Sequence, residues 1–143
     1  MNAETIIVVA GKRKSAVAKV RVIEGNGSVT YNQLGKSALP FFHRVALEEP
    51  LAIALEVLGD IKFDFVITTA GGGKESQIEA ARLAIAKALV TVTKSAELKK
   101  AFLSYDRGLL VADTRRKETY KPGDSKARAK RQKSYRRLNI ENF

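Results

Sequence analysis

The sequence predicts an α+β chain, a compact domain of mixed strands and helices followed by a long, extended C-terminal tail. Three observations carry that expectation. Val17, Lys19 and Arg21 alternate with Ala18, Val20 and Val22, so one strand presents a basic face opposite an apolar one. Ile78, Ala81, Ile85, Ala88 or Leu89, and Val92 recur at helical spacing, with Glu79, Arg82 and Lys87 outside the stripe. From Asp113 to Arg137 there are eleven basic and three acidic residues, and the large apolar side chains are only Tyr120 and Tyr135. Such a stretch buries too little to offset its ordering entropy by itself.

The elements follow in order. Ile6 to Val9 reads as a strand, and Val17 to Ile23 as the next. Glu24-Gly25-Asn26-Gly27 tolerates positive φ and turns the chain. Asn26-Gly27-Ser28 has the form of a glycosylation sequon but is read as part of this turn. Ser28 to Asn32 returns as a short strand, which makes an N-terminal meander the expected arrangement. Phe41, Phe42, Val45 and Leu47 point to a short helix, and Pro50 suits the first turn of a second one ending at Gly59-Asp60. Lys62 to Thr68 is a strand with Phe63, Phe65 and Ile67 on one face. Gly71-Gly72-Gly73 interrupts regular structure before the helix from about Glu75 to Val92. A further helix starts near Ser95, Arg107-Gly108 ends it, and Leu109 to Val111 is expected as a last strand. The domain is placed at residues 1–112 and the tail at 113–143.

Composition narrows the function. The 143 residues hold 26 Lys+Arg against 15 Asp+Glu, a net charge of +11 with pI near 10.0. That balance attracts polyanions: RNA, DNA or an acidic membrane surface. The sequence has no cysteine, which excludes a disulfide scaffold, thiolate zinc sites and a cysteine nucleophile. No apolar run reaches the roughly 18–20 residues of a membrane span. The run Ile6 to Ala10 is too short for a signal peptide. A soluble intracellular protein is expected.

Three basic features stand out. In the tail, Arg115, Arg116, Lys117, Lys121, Lys126, Arg128, Lys130, Arg131, Lys133, Arg136 and Arg137 are spread along the segment. Extended at about 3.3 Å per residue, residues 113–137 would reach roughly 80 Å. That is the form of an arm following phosphates and releasing counterions at each contact, rather than a passive tail or a nuclear-type address. Gly11-Lys12-Arg13-Lys14-Ser15 is read as a basic loop between two strands, with Lys19 and Arg21 continuing its surface. Gly71-Gly72-Gly73-Lys74 places bare backbone amides before a helix, which suits either approach to an RNA phosphate or a purely conformational role. It is not a nucleotide P-loop: Thr68 stands where the first glycine is needed, and Glu75 where Ser or Thr is needed. His43, the single histidine, sits beside Phe42 in a helix and has no second histidine for a metal pair. The carboxylates suggest no acid/base dyad. No catalytic, metal, cofactor or small-molecule site is expected.

These motifs resemble one family. Residues 11–22, Gly-Lys-Arg-Lys-Ser-Ala-Val-Ala-Lys-Val-Arg-Val, followed by Gly25-Asn26-Gly27, are similar to the opening of small-subunit ribosomal protein nine. Gly71-Gly72-Gly73-Lys74-Glu75-Ser76-Gln77 and the small-residue helix from Ala80 to Leu89 resemble its central signature. Asp113, Arg115, Lys117-Glu118, Lys121, Gly123, Ala127-Arg128, Gln132, Ser134 and Arg136 resemble its bacterial-type tail. The resemblance implies a two-layer α/β domain of the ribosomal-protein-S5-domain-2-like kind, with a left-handed βαβ crossover. It implies a structural role in translation, not an enzyme, in the head of the small subunit. The implied partners are 16S-type rRNA, neighbouring head proteins and the anticodon stem-loop of P-site tRNA. On that basis rRNA is expected at Lys12, Arg13, Lys14, Lys19, Arg21, Gly71 to Lys74, and the tail cations from Arg115 to Lys133. The tRNA is expected at Ser134, Arg136 and Arg137, in a cytoplasmic ribosome, bacterial rather than organellar. The family usually ends in Ser-Lys-Arg. Here Ser134-Tyr135-Arg136 is followed by Arg137 and a further stretch, Leu138 to Phe143. A free RNA- or DNA-binding regulator is the alternative.

Overall fold

A computed structural model describes residues 6–120 together with Pro122 and Ala127. Among these the order is β1 (Ile7–Arg13), β2 (Ala16–Glu24), β3 (Val29–Tyr31), β4 (Leu34–Gly35), α1 (Phe41–Leu58), β5 (Phe63–Ala70), α2 (Lys74–Thr93) and α3 (Ala96–Tyr105). Short 3-10 turns precede α1 and follow α3. The α+β class is as expected from the sequence.

The strands form one sheet in the order β1-β2-β5-β3-β4. β1 and β2 are an antiparallel hairpin, with Val9 opposite Val20 and Arg13 opposite Ala16. β2 then pairs antiparallel with β5, Val20 opposite Ile67. β3 pairs parallel with β5, Thr30 opposite Val66. The expected meander is therefore wrong. The turn after β2 does not return β3 alongside it, because β5 occupies that place. The chain from β3 through α1 to β5 is a βαβ unit, since parallel strands need a long crossover between them.

One face of the sheet builds the core. Ala16, Ala18, Val20 and Val22 on β2, Val29 and Tyr31 on β3, and Phe65 and Ile67 on β5 are buried against the helices. The alternation read along β2 is thus the real division between inside and outside. α2 is the central helix and packs on the sheet, α1 and α3. Nine of its residues are buried, five of them alanines. Small side chains let the helix approach β1 closely: a Cβ on Gly11 would stand 2.4 Å from the Ala80 carbonyl oxygen. Ile78 is buried at the start of this helix while Glu79 faces outward.

The expected pair of helices in residues 37–58 is one continuous helix. Pro50 lies in its interior and is fully buried. Proline gives up a backbone hydrogen bond there, and burial beside Leu47, Leu51 and Ala54 compensates. Gly59, at φ +77°, ends the helix as anticipated. Ser95 caps α3 by accepting a hydrogen bond from the Leu98 amide. Leu109 to Val111 is not a strand. Asp106 accepts from the Gly108 amide and starts a 3-10 turn over Arg107–Leu109, which buries Leu109.

Candidate nucleic-acid interface

The basic residues fall on two connected surfaces. The first is the open face of the sheet. Strand register puts Val8, Ala10 and Lys12 of β1 on the same side as Val17, Lys19 and Arg21 of β2, and beside Val66 and Thr68 of β5. Lys12, Lys19 and Arg21 are exposed. The apolar and small residues between them space the cations along the sheet face.

The second surface lies at one end of that sheet. Gly11, Lys12 and Arg13 belong to β1, so the expected loop shrinks to a tight turn at Lys14-Ser15, with Lys14 at φ +52°. The Gly71–Gly73 turn lies directly against it. A Cβ on Gly71 would stand 2.7 Å from the Ser15 carbonyl oxygen, and one on Gly72 would stand 2.9 Å from the Ala16 Cβ. Both glycines have positive φ, +74° and +65°. Close packing of two backbones therefore explains Gly71 and Gly72. Gly73 differs: its backbone is extended at φ −98°, and nothing stands near its missing side chain. Gln77 pins the turn by donating from Nε2 to the Gly71 carbonyl at 3.0 Å. The Tyr31 hydroxyl sits 3.2 Å from Thr69 Oγ1 and 3.5 Å from Gln77 Oε1, linking the turn to β3. Lys74, exposed, opens α2.

The root of the tail completes this end. Arg13, Lys14, Ser15, Arg115, Arg116 and Lys117 line an open groove of about 720 Å³. Two segments a hundred residues apart in sequence thus pool their charge. Asp113 organises them. Its carboxylate accepts from Arg13, from the Arg115 amide at 2.9 Å and from the Arg115 guanidinium at 2.7 Å. Arg116 in turn donates to the Asp113 and Arg115 carbonyls, each at 2.9 Å. The Arg115 hydrogen bonds, assisted by Arg13, hold the Asp113 carboxyl far below the usual carboxylate range.

The expected sites are therefore unequal. Arg13 is half-buried, paired with Glu79 at 2.5 Å as well as with Asp113, and its charge is largely answered inside the protein. Lys14, Arg116, Lys117 and the exposed guanidinium of Arg115 face the groove. Lys121, Lys126, Arg128, Lys130, Arg131, Lys133, Ser134, Arg136 and Arg137 lie outside the described residues. Sequence reasoning missed Asp113 and Glu79 as members of this end. Only the Asp-x-Arg spacing at 113–115, which suits a local turn, signalled the first. Arg82, which the helical stripe left outside, bridges helices instead: it pairs with Glu49 of α1 at 2.5 Å and with Asp106 after α3 at 3.2 Å.

Among the described residues no helix is long and apolar enough to cross a membrane, and no cluster of side chains is suited to a metal ion. A profile of the family described as ribosomal protein S9/S16 matches residues 11–136, a span that holds the turn between β1 and β2, all of β2, the glycine turn and most of the basic tail. The chain belongs to that family. The small ribosomal subunit protein uS9 of Methanococcus vannielii is 43% identical over 134 residues, which cover 92% of this chain and 98% of the relative. The uS9 proteins of Methanococcus maripaludis strains C5 and C7 are 45% and 44% identical over the same shares. These S9/S16 relatives are archaeal, so the bacterial label drawn from the tail motif and the bacterial compartment are not supported.

Proposed function

We propose that this member of the S9/S16 family is a structural constituent of the small ribosomal subunit, bound to its 16S-type rRNA. The groove where Arg115, Arg116 and Lys117 meet Lys14 carries the reading. Its cations come from two distant segments, with Asp113 joining Arg13 of one to Arg115 of the other, and face outward, which suits backbone phosphates rather than a small substrate. The open sheet face extends the contact through Lys12, Lys19 and Arg21. The tail continues it along the RNA from Lys121 to Lys133. Ser134, Arg136 and Arg137 bring its far end to the anticodon stem-loop of P-site tRNA, and neighbouring proteins of the head complete the surroundings.

Sedimentation through a salt gradient tests the core of this reading. An integral constituent stays with small subunits at moderate salt; release there would favour a free RNA- or DNA-binding regulator. The tRNA contact has its own test. Arg136→Ala should impair P-site tRNA retention or frame maintenance while subunits still assemble, and an assembly defect alone would sink it.

A further inference from the structure

The first turn of α1 projects beyond the core. Phe42 is 82% exposed and Phe41 62%, while the same helix buries Leu47, Pro50, Leu51 and Ala54 further along. The two rings are ordered against each other, with centroids 5.6 Å apart and an interplanar angle of 75°. The Arg44 guanidinium lies over the Phe41 ring at 5.7 Å. Two adjacent exposed rings with a cation beside them form a contiguous apolar patch of the kind that marks an interaction surface.

Position identifies that occupant. His43 Nε2 lies 2.8 Å from Glu75 Oε1, in the first turn of α2. Glu75 follows the glycine turn and Lys74, and the glycine turn rests on Ser15 and Ala16. The phenyl pair therefore lies at the same end of the domain as Lys14 and Lys74. The nearby carboxylates have partners within the protein: Glu75 is in hydrogen-bond contact with His43, and Glu48 pairs with Lys36 at 3.1 Å. Among the described residues Arg44 pairs with no carboxylate. Cations beside a flat apolar face suit an unpaired nucleobase attached to a phosphate chain better than they suit an apolar protein surface.

We propose that Phe42, backed by Phe41 and Arg44, is a stacking platform for an unpaired base of the RNA whose phosphates the groove holds. This rests on the rRNA reading above. Phe42 supplies the π face, the edge-on Phe41 fixes its tilt, and Arg44 holds the pair and meets the adjoining phosphate.

The test is binding of the full chain to protein-free small-subunit rRNA over a range of salt. Phe42→Ala should bind about tenfold more weakly with an unchanged salt slope, because stacking releases no counterion. Phe42→Trp should restore binding and Phe42→Leu should not. Rescue by leucine would reduce the contact to apolar burial and overturn the proposal. Arg116→Ala, run in parallel, reads the groove itself. Full affinity in Phe42→Ala with a lowered slope in Arg116→Ala overturns the stacking platform and leaves the groove standing. No change in either variant removes both. In assembled subunits, a photoreactive phenylalanine at position 42 should crosslink to a nucleotide; a crosslink to a neighbouring protein would assign the patch to a protein partner and overturn the proposal.

Discussion

Arg13 on β1 and Asp113 at the root of the tail form an ion pair between residues 100 positions apart in the chain. Asp113 also orients Arg115, so a single carboxylate ties this segment to β1 and sets the direction of the Arg115 guanidinium. Charge and positioning then predict opposite effects for Asp113→Asn. Removing a negative charge alone would tighten binding to a polyanion. Loss of orientation should weaken it. We expect weaker rRNA binding with a salt slope near that of the parent, measured by filter binding.

The same carboxyl should titrate well below its ordinary value of 3.8, because the Arg115 and Arg13 hydrogen bonds favour its charged form. Its folded-state value is depressed, so its stabilising contribution is complete above the unfolded value. That contribution is lost as pH falls through the depressed folded one. The pairing is therefore intact at every neutral or mildly acidic pH. Carboxyl-carbon NMR should show a midpoint below 3.8 for Asp113, moving up in Arg115→Ala; a parent midpoint at or above 3.8 would contradict the geometry.

Cations in the groove should separate by how fully they are already paired. Lys14→Ala and Arg116→Ala should each lower the salt slope of rRNA binding by about 0.7–0.9, one phosphate contact apiece. Arg13→Ala should lower it by less, since Glu79 and Asp113 already answer that charge. Deleting 113–143 should lower the slope by several such units; an unchanged slope would count against the tail as a phosphate binder.

The three glycines of the turn should divide two against one. Gly71→Ala and Gly72→Ala force an L side chain into positive φ and against the Ser15–Ala16 backbone, and should each destabilise the fold by about 1–3 kcal/mol. Gly73→Ala meets nothing and should stay within about 0.5 kcal/mol. Urea denaturation midpoints decide this. Equal, small effects at all three would return Gly71 and Gly72 to a ligand-binding role.

Arg82→Ala should cost about 1–3 kcal/mol, because it leaves Glu49 and Asp106 without their charged donor where α1, α2 and the end of α3 meet. Differential scanning calorimetry would show the lowered transition, and Arg82→Lys should recover only part of it, since one ammonium cannot reproduce the guanidinium fork.

Local periodicity made much of this fold legible. The alternation along β2, the long α2, the start of α3 near Ser95 and the stop at Gly59 all reflect local patterning, and each is where the sequence puts it. What escaped were relationships between distant segments. Nothing near Ser28 announces that β3 will pair with β5 rather than β2. Pro50 has the chemistry of a helix start, and only its burial against neighbouring elements shows why it sits mid-helix. At the candidate site, the density of Lys and Arg located the surface. Charge counting cannot say which cations are answered: Arg13 and Lys14 are adjacent and look alike in sequence, yet one is tethered to two carboxylates and the other faces the groove.

The sheet order carries a consequence for how the chain comes into being. As it is synthesised, β1 and β2 can close as a hairpin and β3 and β4 as a short ribbon, but the place between them belongs to β5, made some thirty residues later. Until that strand arrives, the apolar sides of Val20, Val22, Val29 and Tyr31 have no common layer to join. Closure over such long sequence separations is slow and cooperative. A nascent chain stopped before residue 63 thus holds two sticky halves with their keystone missing, and the same chain carried past residue 93 also has α2 to cover them.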